Sequence, residues 1–391
     1  MAKLIDITGK ALSGEWGTDD ESGSGIPVLR TTNFTNEGVV NYNNVVTRTI
    51  SKKNIDEKYL CPGDIIIEKS GGSDKQPVGR VIYYDGPEKT YLFNNFTGLL
   101  RVKNKSRWHP RYVFYSLYSN YRKGGTREYE NKTTGLHNLK TDAYVSRYEV
   151  ADASFFHQKQ ICEHLDIIAG IIRLRQQELQ KLDDLIKARF VEMFGDLHYN
   201  PKGWDIKSFD ELTILITDGE HATPRRVEQG IYLLSARNVH NHSLQLADVD
   251  YIDEEEYERI AKRIIPQEGD VLISCSGTVG RCCSVPAGIK FQMVRSAALL
   301  RFKDSINPVF AEYMITSDYI QEQINSSKTA SSQANLFQGK IAKLKGFVPP
   351  IELQNEFLNF VAQVDKSKAQ VQKALNETQL LFDSLMQEYF G

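Results

Sequence analysis

The chain has 391 residues, a quarter of them charged and 41% hydrophobic, with a formal net charge of −2. That length can hold two medium-sized cores. No apolar run approaches the eighteen or so residues that a membrane span needs, and Met1-Ala2-Lys3-Leu4 leads into mixed sequence without a signal-peptide core, so a soluble, cytoplasmic chain with no membrane partner is expected. Five scattered cysteines (Cys61, Cys162, Cys275, Cys282, Cys283) form no CxxC pair and share no zinc-finger spacing with histidine. Reduced thiols are expected, without a disulfide framework or a structural metal, and one member of the vicinal Cys282-Cys283 pair should be buried and the other exposed.

From the N-terminus the sequence reads as short strand-like runs, Val39 to Val46, Asp64 to Glu68 and Arg80 to Tyr84, followed by a helix opening at Pro110. Residues 99–147 carry eleven Lys and Arg against three Asp and Glu, with Trp108, Tyr112, Tyr115, Tyr118, Tyr121 and Tyr129 interleaved. Such a stretch reads either as the electrostatic footprint for a phosphate backbone or as a solvated charged face. The period then changes to a heptad at Ile161, Leu165, Ile168, Ile172, Leu179, Leu182 and Ile186, with Arg175 in one seam position. Strand-like runs return at Asp270 to Ser274 and Ala298 to Phe302, and a helix opens at Pro308. Past Pro349-Pro350 a second heptad follows at Phe357, Val361, Val364, Val371, Leu375, Phe382 and Leu385, interrupted by Lys368 and Thr378. Polar seam residues of this kind set register and partner choice.

These two halves are copies. Gly25-Ile26-Pro27-Val28-Leu29 matches Gly230-Ile231-Tyr232-Leu233-Leu234, Gly63-Asp64-Ile65-Ile66-Ile67 matches Gly269-Asp270-Val271-Leu272-Ile273, and Leu99-Leu100-Arg101 matches Leu299-Leu300-Arg301. The heptads correspond at a constant offset of 196, through to the endings Met193-Phe194-Gly195 and Tyr389-Phe390-Gly391. The fold class is α+β: two related α/β domains (1–152 and 197–349) separated by two long heptad helices (153–196 and 350–391) that pack on each other with approximate two-fold symmetry. Leu185 and Phe190, apolar but outside the seam, are candidates for docking a partner, or else pack on their own domain.

Catalytic chemistry is not visible. There is no GxxxxGK[ST] loop, and Ser276-Gly277-Thr278-Val279-Gly280-Arg281 lacks the lysine that would meet a phosphate. Asn307-Pro308-Val309-Phe310 lacks the second proline of the amino-methyltransferase motif. Asp218, Glu220 and His221 on a Gly/Pro-bearing loop read as a hydrogen-bonded turn rather than a metal site, and His240 and His242 as surface histidines.

The combination resembles the specificity subunits of type I restriction-modification systems. The segments that carry the likeness are Ile206 to Pro224, Gly230 to Asn238, Gly269 to Ile273 with Ser276 to Arg281, Asn335 to Gln354, and Leu182 to Asp196. Copy one departs at its helix entrance, where Ala153-Ser154 replaces the two prolines, and over Asn36 to Tyr59. The resemblance implies two target-recognition domains reading a split, asymmetric double-stranded DNA sequence, with the helices as spacer and as dock for two methyltransferase subunits. It implies no catalysis and no cofactor in this chain: S-adenosylmethionine belongs to the methyltransferase, and ATP and Mg to a restriction subunit that can join. Candidate DNA contacts are Lys69, Ser73, Lys75, Arg127, Lys132 and Thr133 in copy one and His221, Thr223, Arg225, Ser276, Thr278, Ser332 and Gln333 in copy two, all in or beside turn-rich segments. A coiled-coil scaffold whose globular domains bind protein is the alternative, and only a DNA reader would show a salt-dependent, sequence-specific shift.

Overall fold

The computed structural model describes residues 1–52, 55–133, 136–326 and 335–391. They divide into two compact units, Met1–Gln176 with Lys373–Gly391, and Gln177–Gln372. Five helices carry the argument: α1 (Pro110–Arg122), α2 (Phe155–Phe194), α3 (Glu254–Ala261), α4 (Pro308–Thr316) and α5 (Ile351–Phe390). The division runs through the middle of the 40-residue helices α2 and α5. Each unit therefore contains the near halves of both.

Both units have the same frame. In the first, a four-stranded antiparallel sheet runs in the order Leu12–Ser13, Thr97–Leu100, Ile65–Glu68, Val81–Tyr83. In the second the order is Thr213–Asp218, Ala297–Phe302, Val271–Ser274, Cys282–Ser284. Register is kept as well: Ile66 faces Leu99 across the ladder as Leu272 faces Leu299. A parallel pair, Ile26–Leu29 with Leu92–Phe93, recurs as Ile231–Leu234 with Phe291–Met293. The central strands read as unbroken apolar runs because both faces are covered. Ile65 and Ile67 enter the core that includes α1 while Ile66 enters the opposite one, and Val271 and Ile273 are split from Leu272 in the same way.

That two-sided cover corrects the cysteine expectation. Cys282 and Cys283 are both buried, one in each core, because their strand has no solvent face. Burial pushes the Cys283 thiol up to about 12. The Val39 to Val46 run is not a strand either. Val40 makes an isolated bridge to Phe34, and the regular strand is Val46–Thr49.

The heptad seams pair α2 with α5, antiparallel, within each unit. In the first, Ile161, Leu165 and Ile172 are buried with Phe382 and Met386, and Ile168 and Leu375 pack against them half-buried. In the second, Ile186 is buried with Phe357, Val361 and Val364, while Leu179 is half-buried. The polar interruptions have partners across the seam. Arg175 donates to the Ala374 carbonyl and the Thr378 hydroxyl, and Lys368 pairs with Asp183 at 2.6 Å. Phe190 is not an exposed docking residue: it is buried on its own unit, 4.9 Å from the Phe194 ring and 5.7 Å from that of Phe310. Leu185 is exposed.

What ties each long helix to its sheet is a buried glutamine, repeated at the helix offset of 196. Gln158 accepts from the His109 amide at 2.8 Å and donates to the carbonyls of Ala153 at 2.9 Å and Arg107 at 3.2 Å. Gln354 accepts from the Asn307 amide at 2.8 Å and donates to the carbonyls of Pro349 at 2.7 Å and Ser305 at 2.9 Å. Both are 0% exposed. Each carboxamide satisfies the chain that enters α1 or α4, where proline at the first helical position leaves no N–H to fix the turn. Gln354→Leu leaves one amide and two carbonyls without partners at about 1–3 kcal/mol each, so urea unfolding of the second unit is expected to lose about 3 kcal/mol or more. An unchanged midpoint would contradict this account.

Candidate functional site

In the second unit three segments converge at one end of the sheet: the loop Asp218 to Thr223, the turn Val294 to Ala297, and the loop after Ser274. Their joining is covalently simple but sterically demanding. A Cβ at Gly219 would stand 2.4 Å from the Met293 carbonyl oxygen, so only glycine lets the loop approach the turn. The Glu220 amide then donates to Met293 O at 2.8 Å and the Arg295 amide to Glu220 O at 3.1 Å. Asp218, Cys275, Ser276, Arg295, Ser296 and Gln338 line the open cleft that results. Asp218 accepts from Arg263 at 2.7 Å and contacts His221 Nε2 at 2.9 Å. Burial works to raise its carboxyl, but Arg263 and His221 outweigh that and hold it below the usual range.

The first unit repeats the arrangement, and sequence reasoning missed it. Ser13-Gly14-Glu15-Trp16-Gly17-Thr18 corresponds to Asp218-Gly219-Glu220-His221-Ala222-Thr223 at an offset of 205. A Cβ at Gly14 would stand 2.2 Å from the Phe93 carbonyl oxygen, and the Glu15 amide donates to that oxygen at 2.8 Å. The shared Gly-Glu-x-x-Thr pattern, at the offset already given by Gly25 and Gly230, was the available signal. Trp16 stands where His221 does and carries Arg48 4.2 Å over its ring.

Of the residues singled out in copy one, Lys69 is half-buried, donates to Ser13 Oγ at 2.9 Å, and has its ammonium pushed down by burial. Ser73 and Lys75 are exposed. Lys75 and Arg127 line a separate cleft with Gln76, Arg122 and Lys123. Lys132 and Thr133 lie on the strand Glu130–Thr133, opposite His137 and Leu136. In copy two His221, Thr223 and Thr278 are exposed and Ser276 is half-buried in the cleft. Arg225 is exposed but occupied, bonding Asp253 at 2.7 Å and Glu255 at 2.8 Å at the start of α3. Ser332 and Gln333 lie outside the described residues. His242 is no plain surface histidine: it contacts the buried Glu312 at 2.9 Å and stacks on Tyr313.

The basic stretch of residues 99–147 needs a larger correction. Arg101 pairs with Asp64, Arg107 with Asp152, Arg111 with Asp166 and Arg122 with Asp383, all carboxylates outside the window. Trp108, Tyr112, Tyr115, Tyr118 and Tyr121 are buried in the core. Much of the local charge is therefore spent inside the unit, and the aromatics are packing. The Arg101–Asp64 bridge at 2.7 Å is itself part of the frame, since Arg301–Asp270 repeats it at the same distance. Arg101→Met strands the 2%-exposed Asp64 side chain and is expected to cost about 3 kcal/mol in urea unfolding. Lys75→Ala, at an exposed position, should stay within about 0.5 kcal/mol.

Comparison with known proteins agrees with this geometry. Residues 228–378 match the family described as the type I restriction modification DNA specificity domain. No curated protein matches the chain. Among solved structures, the crystal structure of the type I restriction-modification S subunit from M. genitalium is similar at a TM-score of 0.57 and 14% identity, over 100% of this chain and 95% of that one. A chain from a structure described as the basis of complex assembly and conformational transition of the type I R-M system is similar at a TM-score of 0.52 and 15% identity, over 100% and 96%. Among the described residues no helix is long and apolar enough to cross a membrane. Residues 228–378 are thus similar to that DNA specificity domain, and over its whole length the chain shares the fold of these two solved structures.

Proposed function

We propose that the chain is the non-catalytic reader of a bipartite DNA target, each unit contacting one half-site with the sheet end that carries its Gly-Glu loop. One observation carries the reading: the frame is duplicated strand for strand while the exposed loops on it differ. Trp16 and His221 stand at equivalent positions, as do the exposed Asn95 and Arg295. An enzyme copied in this way would keep its site residues alike in both copies, whereas a reader of an asymmetric sequence needs two different surfaces on one scaffold.

The helices α2 and α5 serve as spacer and as dock for methyltransferase subunits, which supply S-adenosylmethionine and the methyl transfer. A restriction subunit with ATP and Mg completes the complex for cleavage. Exposed apolar residues on the helices, including Leu174, Leu185 and Leu380, are the docking candidates under this reading. From Gln158 to Phe194 is 37 residues, roughly 55 Å at 1.5 Å per residue, or roughly 16 base pairs at 3.4 Å each. With each unit covering several pairs, the unread gap is on the order of one helical turn or less.

The test follows from how the seams are built. Since each unit pairs its own halves of α2 and α5, a spacer change must be made in both helices. Four residues inserted at Gln176-Gln177 and four at Gln372-Lys373 add about one turn, or ~6 Å. Methylation mapping with the methyltransferase present should then recover both half-sequences with a gap roughly two base pairs longer. An unchanged gap, or changed bases within a half-site, refutes the spacer role. Absence of any salt-dependent, sequence-specific DNA shift from the wild-type complex refutes DNA reading and favours the scaffold alternative.

A further inference from the structure

Resting on the DNA-reading proposal, one pair of equivalent turns can be assigned a sharper role. The turns Asn94 to Thr97 and Val294 to Ala297 are held by the same four backbone hydrogen bonds. The Asn94 amide donates to Leu29 O at 2.9 Å, as Val294 does to Leu234 O at 2.9 Å. Thr97 N reaches Asn94 O at 3.1 Å and Ala297 N reaches Val294 O at 3.0 Å. Lys69 N donates to Phe96 O at 2.8 Å and Cys275 N to Ser296 O at 2.7 Å. The fourth is the bond from the Gly-Glu loop, Glu15 N to Phe93 O and Glu220 N to Met293 O, both 2.8 Å. So complete a set fixes each tip in position. What it displays differs: Asn95-Phe96 in one unit, Arg295-Ser296 in the other.

The charge inventory singles out Arg295. The second unit contains nine arginines. Arg189, Arg225, Arg226, Arg237, Arg259, Arg263 and Arg301 are bonded to carboxylates, and Arg281 to the Ala236 carbonyl. Arg295 is exposed, and among the described residues its guanidinium takes no partner. A fixed backbone presenting an uncommitted fork is what bidentate recognition of a guanine edge requires, and a fixed asparagine suits adenine in the same way.

We propose that Arg295 and Asn95 are specificity-determining residues at equivalent positions of the two half-site readers, Arg295 reading a guanine and Asn95 an adenine. Substituting one for the other transfers the preference, because the turn beneath is common to both.

Methylation mapping of the full chain with its methyltransferase tests this, using Arg295→Asn, Arg295→Lys and Asn95→Ala. Arg295→Asn is expected to lower affinity for the original site about 10- to 100-fold and to change one position of one half-site from guanine towards adenine. The other half-site and the gap stay as they were. Arg295→Lys keeps the charge but loses the fork, so it should also relax that position. Asn95→Ala should relax one adenine in the opposite half-site. Unfolding midpoints should not move for the Arg295 variants, since nothing in the fold depends on that side chain. If Arg295→Asn weakens binding equally at all sequences, or if Arg295→Lys preserves the recognised base, Arg295 is a phosphate contact and the assignment is overturned. Unaltered motifs in all three variants overturn it as well. If the wild-type motif is not bipartite, the DNA-reading proposal itself fails, which is a separate result.

Discussion

The structure depends on a carboxamide. Gln158 and Gln354 each lie fully buried at the start of a long helix and satisfy both the carbonyl two residues before that helix (Ala153 or Pro349) and the backbone entering α1 or α4. A helix of 40 residues resting on a small sheet could otherwise swing on its apolar contacts, because hydrophobic burial has no direction. A hydrogen-bonded glutamine in a dry site does, and losing any one partner is costly. The glutamine therefore fixes the start of α2 or α5 against the sheet of its own unit.

Above that joint, each unit separates a frame from a display. The frame is apolar on both faces of the central strands and closed by a carboxylate–guanidinium pair, Asp64–Arg101 or Asp270–Arg301. Such pairs add geometry to the packing, since the bidentate fork admits one orientation. The display is the set of loops bound to it through backbone hydrogen bonds that recur in both units, with side-chain bonds that differ between them. Because the loops close on the turns at Gly14 and Gly219 through the amides of Glu15 and Glu220, that bond is the same whatever side chain follows the glycine. A scaffold of this type can diverge in its exposed loops while its strands keep register.

Partner carboxylates explain why charge was the most misleading sequence signal. Arg122 meets Asp383, which lies 261 positions away, and Arg111 meets Asp166 at 55 positions. No local count can see these pairings. The same holds for the tyrosines of α1, whose interleaving with arginine arises from a helix that is buried on most of its surface. An arginine without a side-chain partner among the described residues, such as Arg295, looks the same in sequence as the committed ones.

The sequence by itself determined the duplication, the opening of α1 and α4 at proline, and the two heptad seams, because each is a periodicity or a spacing that local backbone geometry converts directly into structure. Even the polar seam positions Arg175, Lys368 and Thr378 were legible as exceptions to a period. Only the tertiary structure decided that both Cys282 and Cys283 are buried, that Phe190 belongs to a core, and that among the described residues Arg225 is bound while the Arg295 guanidinium is not. Those outcomes turn on which distant groups arrive at a given face, and burial and ion pairing are settled by that arrival rather than by the residues alongside.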